Sequence, residues 1–265
     1  MQKKYGVINQ LRKTRMLELF RTYLVVGGMP RAVERYKETN NFSIVHNIQR
    51  TIMKDYELDI IKFAESNKKQ KVRSCFLSIP KQLTKENRKV QYSMVEKGSS
   101  ARKYSSSIFW LSDANVANFC HNISSLELPL KAYEKENDFK FYLSDTGLLV
   151  SQYEKRTALD IITDKIGRHK GAIYENAVAQ MLTAKGYRLH FFKPSQNMEI
   201  DFVIRFEDSV CPIEVKSSEH TRSRSLTSLL SNEKYKAKKA IRLSTKNIGE
   251  ENGILSHPVY MAFLL

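Results

Sequence analysis

The sequence predicts an α/β domain from about residue 156 to the C-terminus, preceded by a helical region. Apolar residues recur at helical spacing through the first 64 positions. Short elements take over from Gln70, and beyond Gly171 helix-type and strand-type runs interleave, which is the pattern of an α/β layer architecture.

The first helix covers Leu11–Val26, with apolar positions at Leu11, Met16, Leu17, Leu19, Phe20, Tyr23, Leu24 and Val26. Gly27 and Gly28 stop it, and Pro30 opens the next, Arg31–Lys37. A longer helix follows from Ser43 to about Ala64, capped by Asn40 or Asn41. Residues 1–68 therefore form a helical bundle segment.

Val72, Phe76, Leu77 and Ile79 predict a helix ended by Pro80, and Tyr104 to Leu111 another that begins near Ser99 or Ser100. Two short strands come next, Val116–His121 and Phe139–Leu143, with a charged turn at Glu134–Asp138 between them. Helices followed by a small antiparallel ribbon describe a winged-helix-like domain over 69–155, with Ser99–Trp110 in the recognition position.

The polar stretch Gln152–Lys170, with Gly167 and Gly171 as breakers, marks the boundary of the last domain, 156–265. Its expected order is helix (Ala172–Lys185), strands (Arg188–Phe192, Met198–Phe206, Val210–Lys216), helix (Ser223–Lys236) and strand (Ala240–Ser244).

Longest apolar runs such as Tyr23–Val26 fall far short of the roughly 20 residues needed to cross a bilayer, and no signal peptide is visible, so a cytoplasmic protein without membrane contact is expected. Cys75, Cys120 and Cys211 are widely separated and read as reduced packing residues. The six histidines lack the close spacing of a zinc site.

Net charge of +16 predicts a polyanionic partner. The segment Lys62–Lys103 carries twelve basic residues against three acidic ones, a net +9, and clustered cations gain affinity for DNA by displacing counterions from phosphates. Arg102 and Lys103 at the start of the recognition helix, with Lys81, Lys85, Arg88 and Lys89 before it, are the expected nucleic-acid contacts.

Chemistry is concentrated in the last domain. Alternation along Glu199–Ile204 puts Asp201 with Val203 on one face, and Glu214 shares a face with Lys216. A turn at Glu207–Asp208 makes 201 and 214 equidistant from it, hence directly opposed, with their carboxylates about 5 Å apart. Repulsion at that distance costs on the order of 3 kcal/mol, so a cation is expected: Mg²⁺ or Mn²⁺ held by Asp201 and Glu214, with Lys216 beside it and Glu175 as a further ligand from the preceding helix.

Glu175, Asp201 and Glu214-Val215-Lys216 resemble the catalytic set of the PD-(D/E)XK nuclease superfamily, a helix Glu, a strand Asp and an E-x-K strand; Ile200 stands where that group often has Pro. The resemblance implies a restriction-endonuclease-like fold and metal-dependent phosphodiester hydrolysis. Over most of its length the chain also resembles the C-terminal region of bacterial and archaeal AAA-type ATPases, at Tyr23–Pro30, Arg102–Leu111, Leu128–Lys131, Phe139–Leu148 and Pro212–Ser217. That resemblance implies a P-loop ATPase domain upstream. No Gly-Lys pair and no G-x-x-x-x-G-K-[ST] loop occurs in these 265 residues, so this chain is not expected to bind ATP. Two functions follow: a Mg²⁺-dependent endonuclease module, or a catalytically silent DNA-binding or protein-interaction domain.

Overall fold

The computed structural model describes residues 7–265 apart from 86–88, 99, 168, 219–222 and 236, and the backbone alone at 101 and 102. Ten α-helices and eight strands occur among the described residues. They are α1 (Gln10–Val26), α2 (Pro30–Thr39), α3 (Phe42–Phe63), α4 (Lys69–Leu83), α5 (Tyr92–Val95), α6 (Ala101–Asp113), β1 (Ala117–Ile123), β2 (Glu134–Leu143), α7 (Thr146–Val150), α8 (Arg156–Ile162), α9 (Lys170–Ala184), β3 (Leu189–Ser195), β4 (Met198–Phe206), β5 (Ser209–Val215), α10 (Arg224–Leu230), β6 (Ala240–Ser244), β7 (Gly249–Glu251) and β8 (Ile254–Pro258). Among them, no helix is long and apolar enough to cross a membrane.

Contacts divide the chain into two interleaved units. One comprises Met1–Phe20, Cys120–Glu136 and Met181–Leu265; the other comprises Arg21–Phe119 and Asn137–Gln180. Cys120–Ile123 pairs in parallel with Leu189–Phe192, which places this end of β1 with the C-terminal strands.

In the first unit the strands follow the order β3-β4-β5-β6-β8-β7, with the Cys120–Ile123 end of β1 beside β3. β3, β4 and β5 are antiparallel, β5, β6 and β8 run parallel, and β7 returns antiparallel to β8. A mixed sheet with helical connections makes this an α/β fold. The β4–β5 hairpin follows from alternation: its ladder runs from Phe202↔Ile213 to Phe206↔Ser209 and leaves Glu207 and Asp208 as a two-residue turn. Glu207 takes φ +54°, and Arg205 ties the turn down through the Glu207 carbonyl and the Asp208 carboxylate, each at 3.2 Å. Val203, Ala240 and Ile254 join Leu226 and Leu229 of α10 in one apolar cluster. Each of the Val, Ile and Leu side chains among them contributes about 1.5–3 kcal/mol by leaving water.

The second unit is mainly helical. α1 ends where Gly27 adopts φ +72°, Pro30 starts α2, and Asn41 caps α3 by accepting from the Ser43 and Ile44 amides. Val26, Ala32 and Val45 form an apolar cluster against which Tyr36 and Phe42 stack. Asp145 collects the chain beneath it. It accepts from the amides of Gly28 at 2.6 Å and Leu148 at 2.9 Å and from Gln180 at 3.2 Å, while Gln49 donates to the carbonyls of Val25 and Val26.

Several elements depart from the sequence reading. Pro80 lies inside α4 instead of ending it: Gln82 and Leu83 are buried beyond it, and their burial outweighs the one hydrogen bond a proline removes. Glu134–Asp138 is strand, not turn, because Glu134 is held by Arg188 and His190 from β3 and its flank. The stretch 152–170 contains α8, whose Thr157 and Ile161 are buried. The helix expected over Ser223–Lys236 stops at Leu230. There Ser231 bonds back to the Ser228 carbonyl and Asn232 accepts from Lys234, local bonds that compete with the helix. β7 and β8 were not anticipated. The three cysteines are buried and no disulfide joins them.

Candidate functional site

Extending the β4–β5 register one step beyond Phe202↔Ile213 sets Asp201 opposite Glu214, the opposition expected from the turn position. Asp201 is half-buried, and its Oδ2 accepts the Val215 amide at 2.8 Å. Glu214 is only 3 % exposed. Its Oε1 lies 2.8 Å from Lys216 Nζ, while Oε2 is buried without a hydrogen bond, although the Ser223 hydroxyl is near enough to favour the charged form. Burial raises the Glu214 pKa above the ordinary carboxylate range; Lys216 opposes the rise and the Asp201 charge adds to it.

The row continues across the sheet. Glu214 registers with Arg242 of β6, and Arg242 with Ser256 of β8. Paired residues in a ladder share a face, so Asp201, Glu214, Arg242 and Ser256 line one face of four adjacent strands. Arg242 donates to the Ser256 hydroxyl at 2.7 Å and approaches that of Ser223 at 3.5 Å. Sequence reasoning missed Arg242. Its signal was a single charge in the middle of the otherwise apolar run Ala240–Leu243.

Glu175 belongs to the helical unit, where Tyr142 donates to Oε2 at 3.1 Å and Lys140 Nζ stands 3.9 Å away; both it and Lys140 are buried. The expected nucleic-acid contacts are also in that unit. Lys81 and Lys85 are exposed, but Lys89 pairs with Asp138 at 2.6 Å and Lys103 with Glu96 at 2.7 Å. Arg88 and the side chain of Arg102 lie outside the described residues.

Two carboxylates suit a hard divalent cation that keeps waters and substrate oxygens as its remaining ligands. The unsatisfied Glu214 Oε2 beside Asp201 fits such an ion, which would satisfy an oxygen otherwise buried without a donor. Among the described residues no group of three His, Cys, Asp or Glu side chains is placed to hold a metal by itself.

The fold and this polar row define an α/β protein with a charged centre on its sheet. The chain belongs to the family described as a domain of unknown function, DUF8612, which matches residues 17–158. Residues 170–260 match a second domain of unknown function, DUF4143. No curated protein and no solved structure matches the chain.

Proposed function

We propose that this chain is a DNA-binding, nuclease-like module of an AAA-type ATPase, with Mg²⁺- or Mn²⁺-dependent phosphodiester hydrolysis at Asp201, Glu214 and Lys216. The observation that carries the reading is the buried Glu214 oxygen left without a donor beside a second carboxylate and a lysine. Asp201 and Glu214 would hold the ion, which when bound supplies charge neutralisation and an activated water. Asp201 is oriented by the Val215 amide, and the Glu214–Lys216 pair keeps an ammonium group where negative charge grows on a phosphate. Lys81 and Lys85, exposed in the helical unit, supply sequence-independent phosphate attraction. The reading places the chain in the cytoplasm, with ATP handled by a separate domain.

A catalytically silent DNA-binding or protein-interaction domain is favoured by one observation: Glu175, the third acid of the nuclease pattern, is engaged by Tyr142 and Lys140. Incubation of duplex DNA with Mg²⁺ or Mn²⁺ separates the two. Hydrolysis lost in both Lys216→Ala and Asp201→Asn supports the nuclease reading; cutting that survives both changes refutes the site. DNA affinity with a steep salt dependence and no cutting selects the silent domain.

A further inference from the structure

Arg242 is 7 % exposed, and its guanidinium has more donors than its surroundings use. Five N–H groups are available on an arginine fork. Two of its nitrogens reach the hydroxyls of Ser256 and Ser223, Nε has no partner, and no described carboxylate forms an ion pair with it. A buried guanidinium without a counter-anion is costly, because its desolvation is repaid only by good geometry and further hydrogen bonds. A fork with spare donors matches the oxygens of a phosphate group, which it binds in bidentate fashion.

Place in the row identifies the anion further. Arg242 stands in register with Glu214, and Ser223, which it approaches, immediately precedes α10. Lys216, just past the end of β5 and paired with Glu214, has a side chain 28 % exposed, and Ser218 beyond it is exposed, so the row reaches solvent at this end. Two cations and two hydroxyls beside a pair of carboxylates make a site that accepts an anion on one side and a divalent cation on the other.

We infer that Arg242, with Ser223 and Ser256, is a phosphate-binding site that receives a backbone phosphate of nucleic acid beside the Asp201–Glu214 pair. The choice of a nucleic-acid phosphate rests on the proposed function; the anion site itself rests on the unfilled guanidinium.

The test uses the full chain with isotope-labelled arginine and reads the Arg242 Nε–H resonance, assigned by its loss in Arg242→Lys. Inorganic phosphate is titrated in the presence of chelator, and a short phosphorylated DNA duplex separately. The expected result is a saturable shift of that resonance with both probes and about tenfold weaker phosphate binding in Arg242→Lys, which keeps the charge but loses the fork. Ser256→Ala provides a milder second variant, expected to weaken phosphate by a few-fold. A resonance that stays fixed, or unchanged affinity in both variants, overturns the inference. So does a resonance that ignores phosphate and moves only in Glu214→Gln, which would make Arg242 an internal counter-ion. A shift with phosphate alone leaves an anion site but overturns the nucleic-acid assignment. Failure of the nuclease reading is a separate outcome: phosphate and DNA bound at Arg242 with no metal-dependent cutting.

Discussion

The Gly28 amide donates to Asp145 Oδ2 at 2.6 Å across 117 positions of sequence, and the neighbouring Gly27 has room for no side chain, since a Cβ there would overlap the same carboxylate. Two segments that stand out in the sequence, Tyr23–Pro30 and Phe139–Leu148, are thus joined at one buried acid. Burial raises the Asp145 pKa, and the amides of Gly28 and Leu148 oppose the rise by bonding the charged form.

Gly27→Ala should therefore cost at least about 3 kcal/mol. The substitution combines a left-handed backbone at φ +72° with a clash against a carboxylate that cannot move without losing its donors. Urea denaturation of the variant measures this, and a loss under about 1 kcal/mol would show that the contact is soft.

At the hairpin, Asp201→Asn and Asp201→Ala should part company. Asparagine keeps an acceptor for the Val215 amide and should change stability by less than about 1 kcal/mol, whereas alanine strands that amide and should cost about 1–3 kcal/mol. Thermal melts in chelator check the ranking, and equal melting temperatures would contradict the hydrogen-bonding role.

Glu134 supplies a pH signature. Burial works against its charged form, but hydrogen bonds from Arg188 and His190 overcome it and hold its pKa below the ordinary value. A carboxylate with a lowered folded-state pKa stabilises the fold above its unfolded pKa, and the contribution disappears as pH falls through the folded value. Glu134→Gln should cost about 1 kcal/mol at pH 7, a modest figure because the Arg188 side chain is half exposed, and the deficit should shrink below about pH 4. Denaturation across pH gives the curve; a deficit that grows on acidification would reverse the sign argued here.

If DNA is bound, the basic residues should be unequal. Replacing Lys81 and Lys85 together by Ala should lower affinity and reduce the salt slope by about 2, one for each phosphate contact. Lys103→Ala and Lys89→Ala should have less than about a third of that effect, because both ammonium groups are already paired with acids. Fluorescence anisotropy at several salt concentrations checks the order.

Apolar patterning between breakers was enough to read α1, α3, α9, β4 and β6 nearly to their ends. The β4–β5 hairpin register was legible too, since a two-residue turn fixes it by counting alone. Non-local pairing was not legible. Parallel contact of β1 with β3 spans more than sixty residues and leaves no local trace, and Glu134 became strand through partners fifty positions away. Arg242 escaped for the same reason: its place beside Glu214 depends on which strand follows β5 in space, and a lone arginine in a short apolar run does not reveal that.

The pairing of Cys120–Ile123 with β3 also bears on how the protein can be cut. A fragment begun near residue 156 would keep every strand of the candidate site yet strip the neighbour from β3. Unsatisfied amides flanked by Phe191 and Phe192 would then be offered to other molecules, an invitation to intermolecular sheet growth. Such a piece should enter inclusion bodies where the whole chain stays dispersed, and centrifuged lysates of the two would show it.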